Sequence, residues 1–245
     1  MTEEFQRTEI LFGEENMAIL ANARVAVFGI GGVGSFVTES LARAGVGTLD
    51  LIDFDTVSIS NLNRQLLALY DTVGRKKVEV MKERISQINK RATVNIYDCY
   101  YGKENENDFD FSQYDYVVDA IDVVTSKLLL IKKCQEVGTP IISSMGTGNK
   151  VQPEQLMFSD IYKTSVCPLA KIMRKECKNL GIKKLKVLYS KELPKKPNLT
   201  EAMLEEAKQS GRRSIPGSTS FVPATAGLMI GSAVIRELIG MKVKF

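Results

Sequence analysis

The sequence predicts an α/β fold: a Rossmann-like doubly wound sheet, mostly parallel, with antiparallel strands in its C-terminal half. Short apolar runs alternate with amphipathic helical segments over about residues 20–150, and a glycine-rich turn follows the first run. This alternation stops near residue 151. We therefore expect a single domain over 1–245, with a nucleotide-binding part at about 20–150 and a substrate-binding part at about 151–245.

The individual elements follow from local periodicity. Short β-branched runs predict strands, at 24–29, 48–53, 93–98, 116–120, 140–144, 154–162 and 185–190. Apolar residues at helical spacing predict helices, at 35–45, 76–89, 125–137, 168–181 and 223–239. The 154–162 run is expected to be an antiparallel or edge strand. The charged, proline-bearing stretch at about 191–215 is expected to be a mobile loop with at most a short helix.

Composition excludes several classes of site. The sequence contains no histidine, which excludes Ser-His-Asp and Cys-His catalysis and histidine-ligated zinc. Its four cysteines form no CxxC pair, so a four-cysteine zinc site is not expected. Scattered thiols and a polar start predict a cytoplasmic protein. The apolar run 221–235 is shorter than the about 20 residues that span a bilayer, so we expect a buried helix there and no stable membrane insertion.

Positive charge is concentrated in one stretch of the chain. The formal charge is +4, but residues 163–213 alone carry +9. This asymmetry favours a polyanionic partner, and a solvated lysine-rich loop is the alternative. The candidate contacts to the backbone of such a polyanion are Lys163, Arg174, Lys183, Lys184, Arg212 and Arg213.

A glycine-rich turn and a distant acid predict a nucleotide site. The turn matches GxGxxG between a predicted strand and a predicted helix, where backbone N–H groups bind phosphates; its glycines are Gly29, Gly31, Gly32 and Gly34. Asp53 ends the second predicted strand, where an acid would bind ribose hydroxyls. Taken alone, these features predict an NAD or FAD site.

The residues beyond the second strand do not fit a dehydrogenase. Asn61, Arg64 and Lys77 form a polar set, and a triphosphate with a leaving group to stabilise needs such cations more than a dinucleotide does. Asp122 follows the strand at 116–120, where an acid facing a triphosphate would hold magnesium. The alternatives are surface salt bridges for Arg64 and Lys77 and a helix N-cap for Asp122.

Four segments resemble a known superfamily. GIGGVGS, IDFDTVSISNLNRQ, GRKKVE and VVDAID are similar to the adenylating domain of the ubiquitin-activating-type superfamily, which includes the MoeB and ThiF enzymes. The resemblance implies a homodimer that uses ATP to adenylate a carboxylate, releasing pyrophosphate. The glycine turn would then bind ATP with Asp53, Asp55, Asn61, Asn63, Arg64, Lys77 and Asp122. The residues with implied catalytic roles are Arg64, Lys77, Asp122 (through magnesium) and Arg7, which would reach the partner subunit's ATP.

The second half narrows the resemblance. DIYKT, PLA, MR, PGS and PAT, between residues 160 and 225, resemble the tRNA threonylcarbamoyladenosine dehydratase family, and the zinc cysteines of MoeB-like members are not present. This family adenylates the carboxylate of threonylcarbamoyladenosine in tRNA and cyclises it with loss of AMP. The resemblance therefore implies that tRNA is the polyanion bound by the basic residues of 163–213. Proteins of a sulfur-transfer system are further expected partners.

Two alternative functions stay open from the sequence. One alternative is an adenylyltransferase that activates the C-terminus of a ubiquitin-like sulfur-carrier protein; another is a non-catalytic or NAD-using nucleotide-binding module. Cys167, just before a predicted helix, is a candidate nucleophile. Because intramolecular cyclisation needs no covalent enzyme intermediate, an ordinary cysteine is the preferred interpretation.

Overall fold

Seven strands form one sheet in the computed structural model, which describes residues 3–201, 203–205 and 215–241. The strands are β1 Arg24–Phe28, β2 Thr48–Ile52, β3 Thr93–Tyr97, β4 Tyr116–Asp119, β5 Ile141–Ser144, β6 Leu156–Asp160 and β7 Lys186–Ser190. The helices in the described part are α1 Gln6–Phe12, α2 Glu14–Asn22, α3 Gly34–Arg43, α4 Lys77–Ser86, α5 Val124–Val137, α6 Pro168–Asn179 and α7 Val222–Leu238. Arg212 and Arg213 lie outside the described residues.

The sheet order is β3-β2-β1-β4-β5-β7-β6. Every neighbouring pair is parallel except β6 with β7, which is antiparallel. The predicted mixed sheet is confirmed, and β6 is both antiparallel and at the edge. The strand order reverses between β1 and β4, and ligands of open α/β sheets bind at the carboxyl edge of such a switch point.

Helices cover both faces of the sheet, because alternate residues of β1 point to opposite sides. Val25 and Val27 join one apolar cluster with residues of α3, α4 and α7. Ala26 and Phe28 join a second cluster with α5 and an aromatic group that includes Phe111. A third cluster packs α5 against α6 and β7. The buried helix predicted near 223–239 is confirmed as α7, and no helix in the described part of the chain is long and apolar enough to cross a membrane.

Two N-terminal helices, α1 and α2, were not predicted. Their sequences lack an apolar stripe: α1 has no buried residue and α2 has only Leu20. In the stretch predicted as a mobile loop, residues 191–200 have no regular secondary structure and 203–205 are helical.

Candidate active site

A cavity of about 770 Å³ opens at the carboxyl edge of the sheet. Loops that follow β1, β2, β4 and β5 line it, together with the start of α6 and residues 216–218. It therefore lies over the switch point between β1 and β4. Its size falls within the range of small-molecule sites, roughly 300–1,000 Å³.

The glycine turn forms the floor of this cavity beside β1. Gly29 has a φ of +90°, a backbone conformation that side chains disfavour. Gly34, the first residue of α3, packs so closely on the Gly29 carbonyl that an added Cβ would overlap its oxygen. Gly29, Gly31 and Gly32 line the cavity, while Gly34 supports them from beneath. The N-terminus of α3 thus faces the cavity, as a phosphate site requires.

Asp53 locks the glycine turn to the end of β2. Its carboxylate accepts hydrogen bonds from the Ile30 N–H at 2.6 Å and the Asp55 N–H at 2.9 Å. Burial raises the pKa of Asp53, opposed by the positive charge of Lys77 and by those two N–H donors. Asp53 lines the cavity, so the residue predicted to bind ribose also orders the glycine turn.

Lys77 is the first residue of α4 and a buried part of the cavity wall. Its Nζ lies 2.6 Å from Oδ2 of Asp55, whose side chain is 47% exposed. Lys77 itself is buried although Asp55 is exposed, so an ordinary surface salt bridge does not describe Lys77. Asp55, which also lines the cavity, holds the ammonium group at the helix N-terminus, ready for an anionic ligand.

Arg64 and its neighbours occupy the rim beside the glycine turn. The guanidinium donates to the Ser60 carbonyl at 2.7 Å and to Asn63 Oδ1 at 3.0 Å. Desolvation lowers the pKa of Arg64, and no carboxylate among the described residues pairs with it. Asn61 is buried in the wall and accepts from the Ser58 N–H. Arg64 therefore retains donors for a phosphate group.

Asn63 differs from the other predicted ATP contacts. The described lining of the cavity does not include it. Its Nδ2 donates to the Ser218 carbonyl at 3.2 Å, and its Oδ1 accepts from Arg64. Asn63 thus connects the rim around Arg64 to the segment that precedes α7.

Asp122 is exposed at the cavity, directly after β4. The N-cap of α5 is Val123, with no side-chain cap, so the N-cap alternative for Asp122 does not hold. The described residues contain no cluster of three or more side chains that could cage a metal ion. A single carboxylate together with nucleotide phosphates is the usual way that proteins hold Mg²⁺, and Asp122 fits that arrangement.

The opposite wall was not predicted. It consists of residues 146–150 after β5, Cys167–Leu169 at the start of α6, and residues 216–218. Asn149 joins the first of these segments to the last: its N–H donates to the Gly217 carbonyl and its Oδ1 accepts from the Gly217 N–H, both at 2.7 Å. Its own carbonyl accepts from the Lys195 N–H at 2.8 Å. The one available signal was the second glycine-rich turn, Gly146-Thr147-Gly148, after a predicted strand.

The predicted tRNA contacts are spread over a long path. Lys163, Lys183 and Lys184 are exposed and lie beyond the end of β6 and before the start of β7, at the amino edge of the parallel sheet. They therefore lie at the edge of the sheet opposite to the cavity. Arg174 is half-buried, and its guanidinium donates to the Thr164 carbonyl and hydroxyl.

Helix α6 connects the two edges. It starts in the cavity wall and runs for 12 residues, or about 18 Å. Lys171, Lys175 and Lys178 are exposed along it, at spacings that place them on one face. These three lysines were not among the predicted contacts, although the sequence showed them at helical spacing.

Arg7 lies on α1 and is exposed. It does not belong to the described lining of its own chain's cavity. Two apolar side chains on the same helix are also exposed, Ile10 at 72% and Leu11 at 78%.

Two known proteins are similar in sequence to this chain over nearly its whole length. The tRNA threonylcarbamoyladenosine dehydratase of Bacillus subtilis (strain 168) is 42% identical over 243 residues, which is 98% of this chain and 96% of that protein. The protein of the same name from Escherichia coli (strain K12) is 36% identical over 248 residues, covering 96% of this chain and 92% of that protein.

A solved structure of a relative has the same fold as this chain. The crystal structure of the E. coli tRNA N6-threonylcarbamoyladenosine dehydratase in complex with ATP is similar with a TM-score of 0.87 and 34% identity, covering 97% of this chain and 94% of that one. The model of the ThiF family matches residues 5–244. This chain belongs to the ThiF family.

Proposed function

We propose that this protein is an ATP-dependent tRNA threonylcarbamoyladenosine dehydratase of the ThiF adenylating type. The observation that carries the proposal is a cavity with a glycine turn, Arg64 and Lys77 on one wall, in a chain that matches dehydratase relatives over nearly its whole length. Two crystal structures of the E. coli relative contain ATP and AMP, respectively. ATP is the nucleotide substrate of an adenylation, and AMP is released when the adenylate reacts.

The reaction has two steps. The substrate carboxylate attacks the α-phosphorus of ATP, an acyl–phosphate bond forms, and the α–β phosphoanhydride bond breaks to release pyrophosphate. A nucleophile within the same threonylcarbamoyl group then attacks the acyl carbon, and AMP leaves with one carboxylate oxygen. The net result is removal of the elements of water from the modified base.

The wall formed by the glycine turn, Arg64 and Lys77, here called the nucleotide wall, supplies the charges for the first step. The amides of the glycine turn receive the phosphates, and Lys77 and Arg64 stabilise the charge that develops on the leaving pyrophosphate. Asp53, beside the turn, is positioned for the ribose. Asp122 would hold Mg²⁺, which neutralises phosphate charge when bound.

The proposed assembly is a homodimer in the cytoplasm. The exposed Ile10 and Leu11 on α1 support burial of this helix against a second copy, and Arg7 on the same helix would then complete the partner's ATP site. Multi-angle light scattering at micromolar concentration should give twice the chain mass. A fully active monomer would contradict the dimer. Proteins of a sulfur-transfer system stay proposed partners.

The decisive experiment offers two substrates. The protein is incubated with ATP and either tRNA carrying threonylcarbamoyladenosine or a ubiquitin-like sulfur-carrier protein, and AMP and pyrophosphate are measured. With the tRNA, and not with the carrier protein, we expect both products and the loss of one water from the modified nucleoside, detected by mass spectrometry. Nucleotide release only with the carrier protein would favour the adenylyltransferase alternative. The sequence similarity supports the dehydratase more strongly, since relatives named adenylyltransferase and sulfurtransferase match only 54–64% of this chain.

A further inference from the structure

Two buried lysines lie around β5, and their surroundings differ. Lys127 on α5 is fully buried and lies 2.9 Å from Asp119, with further bonds to the Ile121 and Ser144 carbonyls. Its charge is therefore compensated within the fold. Lys150 is also buried, at 2% exposure, but its one hydrogen bond is to the Gly146 carbonyl at 2.7 Å. No carboxylate among the described residues lies within ion-pair distance of its ammonium group.

A buried cation without a counter-ion is costly unless a ligand supplies one. Lys150 lines the cavity, so an anion bound there could be that counter-ion. Its backbone is held firmly, because the buried carboxylate of Glu192 accepts hydrogen bonds from the next two residues, Val151 and Gln152, at 2.9–3.0 Å. Glu192 thus fixes the position of the chain at Lys150.

The location of Lys150 separates it from the residues that face the nucleotide. Asp53 and Lys77 follow β2, whereas Lys150 follows β5. Those strands are three places apart in the sheet, which is about 14 Å at the usual strand spacing. All acidic residues in the described cavity lining follow β2 or β4. Glu192, beside Lys150 in the fold, is not in that lining, and its carboxylate already accepts from the Val151 and Gln152 N–H groups. The first turn of α6, at Cys167–Leu169, adds its positive dipole end to the wall around Lys150.

We propose that Lys150 binds the carboxylate of the threonylcarbamoyl group and positions it for attack on the α-phosphorus. Stripping water from a carboxylate in this cavity would otherwise oppose binding. Lys150 offsets that cost, while Arg64 and Lys77 remain committed to the phosphates. This assignment rests on the proposed dehydratase function, and it adds a specificity residue on the acyl side of the site.

The test compares Lys150→Met and Lys150→Arg with the wild type, with Lys127→Met as the matched control. Steady-state rates are measured against concentration of threonylcarbamoyladenosine-containing tRNA, ATP affinity is measured by calorimetry without tRNA, and thermal midpoints are recorded. We expect Lys150→Met to raise KM for the tRNA at least tenfold and to leave ATP affinity within twofold. Lys150→Arg should recover part of the loss.

Stability distinguishes a ligand-binding role from a structural one. Removing an uncompensated buried charge should leave the thermal midpoint of Lys150→Met unchanged or higher, whereas Lys127→Met strands Asp119 and should lower it by several degrees. An unchanged KM, an equal loss of ATP affinity, or a lowered midpoint without rescue by arginine would each overturn the assignment. Absence of turnover by the wild type would instead refute the dehydratase function.

Discussion

The two walls of the cavity are built in different ways. The wall after β1 and β2 is made by residues of nearby sequence motifs, and two of its charged groups already have partners within the protein: Asp53 accepts from two backbone N–H groups and Lys77 binds Asp55. The wall after β5 is made by three segments far apart in sequence, and Asn149 ties the first of them, residues 146–150, to the last, residues 216–218. We propose that the first wall binds ATP and that the second, here called the acyl wall (residues 146–150, 167–169 and 216–218), binds the threonylcarbamoyl group.

The largest expected effect concerns the nucleotide wall. Lys77→Ala should lower the rate of adenylation by about 10² or more, because it removes a charge directed at the leaving pyrophosphate. Lys76→Ala is the matched control, since the adjacent Lys76 pairs with Asp98 and is partly exposed. Pyrophosphate release is the measurement, and circular dichroism checks the fold. Equal activity of the two variants would show that Lys77 serves only the ion pair with Asp55.

This difference between the walls also explains what the sequence could predict. Gly29 and Asp53 end predicted strands, Asp122 follows one within two residues, and Lys77 lies at the start of a predicted helix. Local pattern therefore places them at one sheet edge. Asn149 has no such pattern, because its partner Gly217 is 68 residues away. Long-range pairing of that kind leaves no periodic trace in the sequence.

Two pairs of exposed lysines can show which edge of the sheet contacts the tRNA. Lys171 and Lys175 lie on α6 near the cavity, while Lys183 and Lys184 lie at the far sheet edge. Replacing either pair with glutamine should flatten the salt dependence of tRNA binding, by up to about 1.8 in the log–log slope if both lysines neutralise phosphates. We expect about tenfold weaker binding for the α6 pair and a smaller loss for the other.

Filter binding over a range of salt concentrations measures both pairs, with ATP affinity as the internal control. ATP affinity should not change, because none of the four lysines lines the cavity. Slopes equal to that of the wild type for both pairs would mean that these lysines are merely solvated. A larger effect for Lys183 and Lys184 would place most of the tRNA contacts at the amino edge of the sheet, away from the cavity.

The third prediction tests whether Asn149 organises the acyl wall. Asn149 has a φ of +59°, a conformation that asparagine tolerates better than alanine. Asn149→Ala should destabilise the fold by about 1–2 kcal/mol, from backbone strain and the lost bond to Gly217. Asn149→Gly keeps the backbone freedom and should cost less.

Both variants lose the Oδ1 acceptor, so both should raise KM for the modified tRNA several-fold with little change in ATP affinity. Urea unfolding and steady-state kinetics supply the measurements. If KM follows stability, rising for alanine and not for glycine, then backbone conformation, and not the side-chain bond, sets the wall. If ATP affinity falls equally, the two walls do not act independently.

The smallest expected effect is at Cys167, which lies in the acyl wall and is 1% exposed. It precedes Pro168 as the N-cap of α6 without a side-chain cap bond, and the chain enters it through Val166, whose φ is +60°. Its position in the acyl wall makes it the one cysteine in the described lining of that wall that could act as a nucleophile.

Cyclisation within the substrate, however, requires no acyl–enzyme bond. Cys167→Ala should therefore retain activity within about threefold, with any loss matched by a small decrease in stability from the missing sulfur. Cys177→Ala, at a buried thiol whose pKa burial raises to about 11, is the control for that packing loss. Single-turnover assays and mass spectrometry of the quenched reaction measure the outcome. A hundredfold decrease for Cys167→Ala alone, or a covalent adduct at Cys167, would make the acyl wall a catalytic surface rather than a binding one.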